Sequence, residues 1–384
     1  MTCKPVSPSN GPVVAAHERI VTGRWRRRWS VSIIMLASLL LGACSTRPLS
    51  PYTEDTPPLV LVPTSAAGVK DARARFREIF CAVLEARGEA LPDYRPCAEA
   101  LARVGNEAPG SGAAVDLGPS QRGLVAAIVP GVGWDCFSEW LNLQGTAPAH
   151  VRRFGFDQVL LSVDALSSSA NNARQIRDAI LKMPLSETGT RLVLVGYSKG
   201  APDILEALVS YPEIRPRIAA VVSAAGAVGG SPLANDAEQS DLALLKRWPG
   251  AKCTAGDGGA IDSMRPATRK AWLAQHPLPV DIPLYSVVTY PEPGRVSAVL
   301  KPSYNKLARI DGRNDSQVLF YDQVIPDSTL LGYVNADHWA LAVPIARTHN
   351  MLGATFVNHN DFPREALLEA VLRFVEEDLA AAGR

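Results

Sequence analysis

Residues 192–200 read Leu-Val-Leu-Val-Gly-Tyr-Ser-Lys-Gly, and Ala-Pro-Asp-Ile-Leu follows. Four apolar residues run into Gly196-x-Ser198-x-Gly200, and Pro202 stands where the first turn of a helix tolerates it. The G-x-S-x-G spacing between a strand and a helix has a steric cause. A serine at the tip of so sharp a turn adopts a strained backbone conformation. Strand and helix then approach so closely that the residues two places either side must be small. Gly196 and Gly200 fill those places. The bend lifts the Ser198 oxygen to the carboxyl end of a sheet, where open α/β sheets bind ligands. It also aims the first backbone N–H groups of the helix at the same point, where they can stabilise an anion. Asp203, in the first turn, suits the helix dipole.

Working outward, the texture from Leu124 onward is short apolar strands alternating with helices. The expected strands are Leu124–Val129, Phe156–Val163, Leu192–Val195, Ile218–Ser223, Leu284–Thr289 and Leu330–Val334. They are continuously apolar and rich in β-branched residues, as strands buried on both faces of a parallel sheet are. Helices are expected at Asn172–Met183, Pro202–Ser210, Asp236–Arg247, Arg265–Gln275 and Pro363–Ala382. This alternation implies βαβ crossovers, hence an α/β fold with a doubly wound, mostly parallel sheet.

With that strand, turn and helix in place, the chain resembles the α/β-hydrolase superfamily over roughly residues 121–384. The resemblance implies a chain order of serine, acid, histidine. Ser198 is then the nucleophile. His338, in Asn335-Ala-Asp-His338 after the last strand, is the base. The acid is expected after Leu284–Thr289, and Asp315 in Asn314-Asp315-Ser316-Gln317-Val318 fits best, with Asp322 as runner-up and Asp311 also in range. Asp337, adjacent to His338, is expected to cap its loop. The stretch Pro291–Ile310 before the acid is longer than a minimal enzyme requires. By the same resemblance, the oxyanion is held by the backbone N–H of Val132, in Pro130-Gly131-Val132-Gly133, and that of Lys199. The Lys199 side chain is expected to point to solvent, where it can steer an anionic substrate. A cap is expected at about 225–280, rich in Gly and carrying two helices. Trp134, Trp248 and Trp272 either line an apolar site or belong to the core.

Upstream, residues 69–104 read as helical. Phe76, Ile79, Phe80, Val83 and Leu84 recur at helical spacing, Pro92 and Pro96 break the run, and a second helix is expected through Val104. Residues 105–120 read as a loop, so 66–120 forms an N-terminal helical extension. Residues 44–65 are rich in Pro, Ser and Thr and read as a tether. Before them, Arg24-Trp-Arg-Arg-Arg28 precedes a 13-residue apolar stretch, Val31–Ala43, ending in Leu41-Gly-Ala-Cys44. That order of basic, apolar and small residues reads as a signal peptide over 1–43. Leu-Gly-Ala-Cys resembles the lipobox of bacterial lipoproteins, which implies lipid attachment at Cys44. Ser45, rather than Asp, then implies sorting to the outer membrane, facing periplasm or surface.

An exported chain meets an oxidising compartment, where Cys81, Cys97, Cys136 and Cys253 can pair. Of three pairings, Cys81–Cys97 with Cys136–Cys253 is favoured, since the first would staple neighbouring helices; free buried thiols are the alternative.

Composition narrows the function. Lys and Arg number 39 against 38 Asp and Glu, a net charge of +1. Residues 1–43 hold six of those basic residues and one acidic residue, so without them the chain carries −4. This balance argues against nucleic-acid binding. His349, His359 and Asp361 lack metal-ligand spacing, no dinucleotide or P-loop signature occurs, and Ser303-Tyr-Asn-Lys306 lacks the companions of an S-x-x-K enzyme. The reading is a serine hydrolase of carboxylic esters, small or lipid, anchored to a membrane, with no metal or organic cofactor. Acyl transfer through the same residues, or a binding protein that keeps the fold, are the rival readings.

Overall fold

The structure is a computed structural model and describes residues 68–141, 146–184, 191–238, 251–254 and 256–384. The signal peptide, Cys44, the tether, Trp248 and most of the helix expected at Asp236–Arg247 lie outside the described residues. The strands are β1 (Lys70–Asp71), β2 (Leu101–Ala102), β3 (Val125–Val129), β4 (Asp157–Leu160), β5 (Leu192–Tyr197), β6 (Ile218–Ala224), β7 (Leu284–Thr289) and β8 (Thr329–Val334). The helices include α1 (Arg73–Arg87), α2 (Trp134–Leu141), α3 (Ala147–Arg152), α4 (Ser169–Lys182), α5 (Gly200–Ser210), α6 (Pro266–Gln275) and α7 (Arg364–Ala381).

One eight-stranded sheet runs in the order β1-β8-β7-β6-β5-β3-β4, with β2 on β8. Every pairing is parallel except β2 with β8. From β3 the chain steps to one side for β4 and to the other for β5. The gap between the carboxyl ends of β3 and β5 is therefore the topological switch point, where a doubly wound sheet leaves a crevice.

All six residues of β5 are buried. Its alternation divides the core in two. Val193, Val195 and Tyr197 pack on the side of α1 and α7, while Leu192 and Leu194 pack on the side of α4 and α5. That is the burial on both faces that its unbroken apolar sequence predicts.

The segment expected as a helical extension joins the same core. Phe76 of α1 meets Phe374 of α7 edge-on at 6.2 Å and lies beside Gly332 of β8. The helix expected to run from Pro96 to Val104 stops at Ala100. Leu101 and Ala102 instead hydrogen-bond along β8. A sheet edge supplies backbone partners that a short helix end lacks, so tertiary pairing overrides local propensity. Two helices missing from the sequence reading, α2 and α3, lie between β3 and β4. Cys81 is bonded to Cys97 and Cys136 to Cys253. Among the described residues, no helix is long and apolar enough to cross a membrane.

Candidate active site

The elbow behaves as its spacing requires. Ser198 has φ +55°, in the left-handed region that a non-glycine residue occupies only under constraint. A Cβ on Gly196 would lie 2.5 Å from Ala201 Cα, and one on Gly200 would collide with the Val129 carbonyl. Both glycines are thus demanded by the approach of strand and helix.

Three side chains converge over the switch point. His338 Nε2 lies 2.9 Å from Ser198 Oγ, and His338 Nδ1 lies 2.7 Å from Asp315 Oδ2. The Asp315 carboxylate is fully buried and held from several directions. The backbone N–H groups of Gln317 and Val318 donate to Oδ1 at 2.9 and 2.7 Å, and Thr289 Oγ1 lies 2.5 Å from Oδ2. The His338 N–H donates to the Asp315 carbonyl at 2.9 Å, tying the two loops by backbone as well.

Three supporting residues were not singled out in the sequence. Tyr197 donates its hydroxyl to the His338 carbonyl at 2.8 Å, and its ring lies 5.1 Å from the imidazole. Burial, reinforced by the charges of Asp315 and Asp337, raises the Tyr197 phenol well above its ordinary value, so the donor keeps its proton. Thr289 closes β7 and reaches Asp315. The Gln323 amide takes the Thr289 N–H at 2.7 Å and donates to the Thr289 carbonyl at 3.1 Å, which fixes the strand end. The one available signal was position: Tyr197 and Thr289 stand at strand ends facing the site.

The other acids have separate work. Asp311 pairs with Arg313 at 2.7 Å. Asp337 accepts from the N–H groups of Ser297 and Ala340, both at 2.9 Å, and so braces the His338 loop. Asp322, the runner-up, sits against Gly229 rather than His338. Burial pushes its carboxyl up to about 7.

Across from Ser198, a Cβ built on Gly131 would come within 2.7 Å of Ser198 Cβ and 3.1 Å of its Oγ. Gly131 therefore stands so close to the serine that a side chain there would clash with it. Lys199 opens α5 with no side-chain cap on the first turn. The expectation that its side chain points to solvent is corrected. Lys199 Nζ lies 2.7 and 2.9 Å from the two oxygens of Asp203, and both side chains are 1% exposed. The physical reason is helical spacing: residues i and i+4 share one face, and here that face is inward.

A cavity of about 500 Å³ lies between the sheet and α7. Pro130 and Tyr197, which stand next to Gly131 and Ser198, form part of its wall. Val195, Val222, Leu368 and Val371 make the rest largely apolar. Two buried atoms on that wall, Trp134 Nε1 and Gln158 Oε1, have no partner among the described residues. The Cys136–Cys253 disulfide joins α2, which follows the Gly131–Gly133 turn, to the segment expected as a cap. The Lys252 N–H donates to the Cys136 carbonyl at 2.9 Å beside it. Trp272 instead stacks on His276 at 4.8 Å. Among the described residues, no group of three or more His, Cys, Asp or Glu is placed to hold a metal ion.

No protein-family model and no curated protein matches the chain. Solved structures do. The lipase BlEst2 of Bacillus licheniformis, in its mature form, is 19% identical over 65% of this chain and 97% of that one, with a TM-score of 0.48. The metagenomic carboxyl esterase MGS0156 is 40% identical, with a TM-score of 0.80, and the match covers 87% of this chain and 100% of that one. A likeness of that extent in both sequence and structure joins the switch-point crevice and the serine elbow to one family: the chain belongs to the carboxyl esterases of α/β-hydrolase fold.

Proposed function

We propose that the chain cleaves carboxylic esters through a covalent acyl-enzyme, with Ser198 as nucleophile, His338 as general base and acid, and Asp315 as the group that orients His338. One observation carries the reading: the unbroken hydrogen-bond chain from Ser198 Oγ through the imidazole to Asp315. With the proton of the ring held on Nδ1 by Asp315, Nε2 accepts the Ser198 proton as Oγ attacks the ester carbon. The N–H groups of Val132 and Lys199 take the negative charge that develops on the carbonyl oxygen. Collapse returns the proton from Nε2 to the departing alcohol. Water, deprotonated by Nε2, then attacks the acyl-enzyme, and Nε2 returns that proton to Ser198 Oγ as the acid departs.

The cavity against α7 suits the acyl group of the ester. That group stays attached to Ser198 while the alcohol leaves to solvent, so it is the part an interior apolar space can hold. A volume of about 500 Å³ lies within the range of small-molecule sites. Esters with an apolar acyl chain, lipid esters among them, are the substrates this favours.

The test is a fluorophosphonate probe on residues 45–384, beside Ser198→Ala. Labelling of the parent, its loss in the variant and a fall in kcat of about 10⁴-fold or more are expected. An unlabelled but folded parent would sink the reading and favour a binding protein. Attachment at the outer membrane through Cys44 belongs to the same proposal. The two disulfides support it, since they fit an oxidising compartment. Cys44→Ser should release the protein from the membrane fraction; unchanged fractionation would count against the anchor.

A further inference from the structure

We propose that the buried Lys199–Asp203 ion pair is a clamp that holds the Lys199 backbone N–H in place for the oxyanion, making both side chains positioning residues of the reaction. The inference rests on the reading of Ser198 as nucleophile and of the Lys199 N–H as an oxyanion donor.

The Lys199 backbone lies at the junction of β5 and α5, between a strained serine and a close-packed glycine. Ser198 before it is held in the left-handed region, and Lys199 itself is helical, its carbonyl accepting from the Asp203 N–H at 3.2 Å. A strained conformation of this kind persists only where its surroundings over-determine it. The clamp adds a side-chain tie to the backbone contacts made there. The lysine side chain folds back along the first turn of α5 and bridges both oxygens of Asp203 at 2.7 and 2.9 Å. Asn172 of α4 donates to Asp203 Oδ2 at 2.7 Å, so the ring is tied to the neighbouring helix as well.

Stability does not explain the pair. Two ions taken from water lose solvation that their attraction barely restores, and a well-packed apolar pair is often as stable. A lysine at a helix N-terminus also opposes the helix dipole. Burial draws the Lys199 ammonium below its ordinary value, while the charges of Asp203 and of Asp257 in the segment expected as a cap act to keep it protonated. What the pair supplies is geometry: a charged bridge with two oxygens has one favourable arrangement, whereas an apolar replacement tolerates several.

The experiment compares Asp203→Asn, which keeps the shape, and the double variant Lys199→Met/Asp203→Leu, which replaces the pair by apolar groups. Rates are measured per active site, counted by fluorophosphonate titration, so partial misfolding does not enter. Affinity for an alkyl boronic acid, whose tetrahedral serine adduct places an oxygen in the oxyanion position, is measured alongside. Both variants should lose about 10-fold in kcat with KM within about twofold, part of what deleting an oxyanion donor costs. The boronate inhibition constant should rise by the same factor. A merely structural role would lower the number of active sites and leave both quantities unchanged per site. Parental kcat and boronate affinity in either variant would overturn the clamp. Ser198→Ala separates the two failures: if it still turns over ester, the nucleophile reading falls first, and if it is dead while the double variant is fully active, the clamp alone falls.

Discussion

The two sides of β5 meet at Ser198 and treat it differently. On the α5 side the space beneath the elbow is closed: Lys199, Asp203 and Asn172 fill it with a buried polar ring. On the α7 side it is open: Tyr197 and Val195 face a cavity of about 500 Å³. A single strand serves both because its side chains alternate between faces. Protein interiors are close-packed, so an apolar space of this size is a feature to be accounted for. The contrast teaches a division of labour. On the proposed reading, one side of the strand fixes Ser198 and the N–H next to it, and the other makes room for the acyl group that Ser198 would carry.

The comparison breaks most completely at its shared tip, where Ser198→Ala should abolish turnover whichever side is intact. The next effect belongs to the closed side, where loss of the ion pair should lower kcat without changing which ester is preferred. The open side should answer in the opposite sense. Val371→Phe puts an aromatic ring into the cavity wall. It should reduce kcat/KM for octanoate esters by about 10-fold relative to butyrate esters, the scale on which apolar pockets discriminate. An unchanged preference across a graded acyl series would show that the acyl group lies elsewhere.

The smallest effect concerns stability. Asp322 sits against Gly229, and burial raises its carboxyl to about 7. An unfolded aspartate titrates near pH 3.9. Between about pH 4 and 7 the folded chain therefore keeps a proton that the unfolded chain releases, and stability falls as pH rises through that window. Asp322→Asn removes this dependence. Melting curves at pH 4.5 and 7.5 should show the variant gaining a few degrees on the parent at the higher pH. Parallel curves for the two proteins would contradict the assignment. The contrast with Asp203 is instructive: that buried carboxyl group has Lys199 Nζ at 2.7 Å, whereas burial dominates at Asp322.

Much of the site was legible because it is local or serial. Gly196 and Gly200 declare the elbow through short-range sterics, and the strand before Ser198 shows burial on both faces by lacking polar residues. Chain order then limits the histidine and the acid to a few candidates, and His338 and Asp315 are the pair that meets Ser198. What was not legible is what depends on direction and closure. That Lys199 turns inward to Asp203 depends on how α5 rotates against α4, and a lone i, i+4 pair reads equally well as a solvated face. That Ala100 ends a helix depends on β8 offering free backbone groups at its edge. Tyr197, Thr289 and Gln323 act through contacts between residues far apart in the chain, for which no spacing exists to be read. Sequence by itself determined the parallel sheet and the strained serine, because backbone sterics and hydrophobic burial act residue by residue; the order of the serine's partners came from the family resemblance those two features carry. Only the tertiary structure decided which side of the strand is closed and which is open, because packing is settled between segments that the sequence keeps apart.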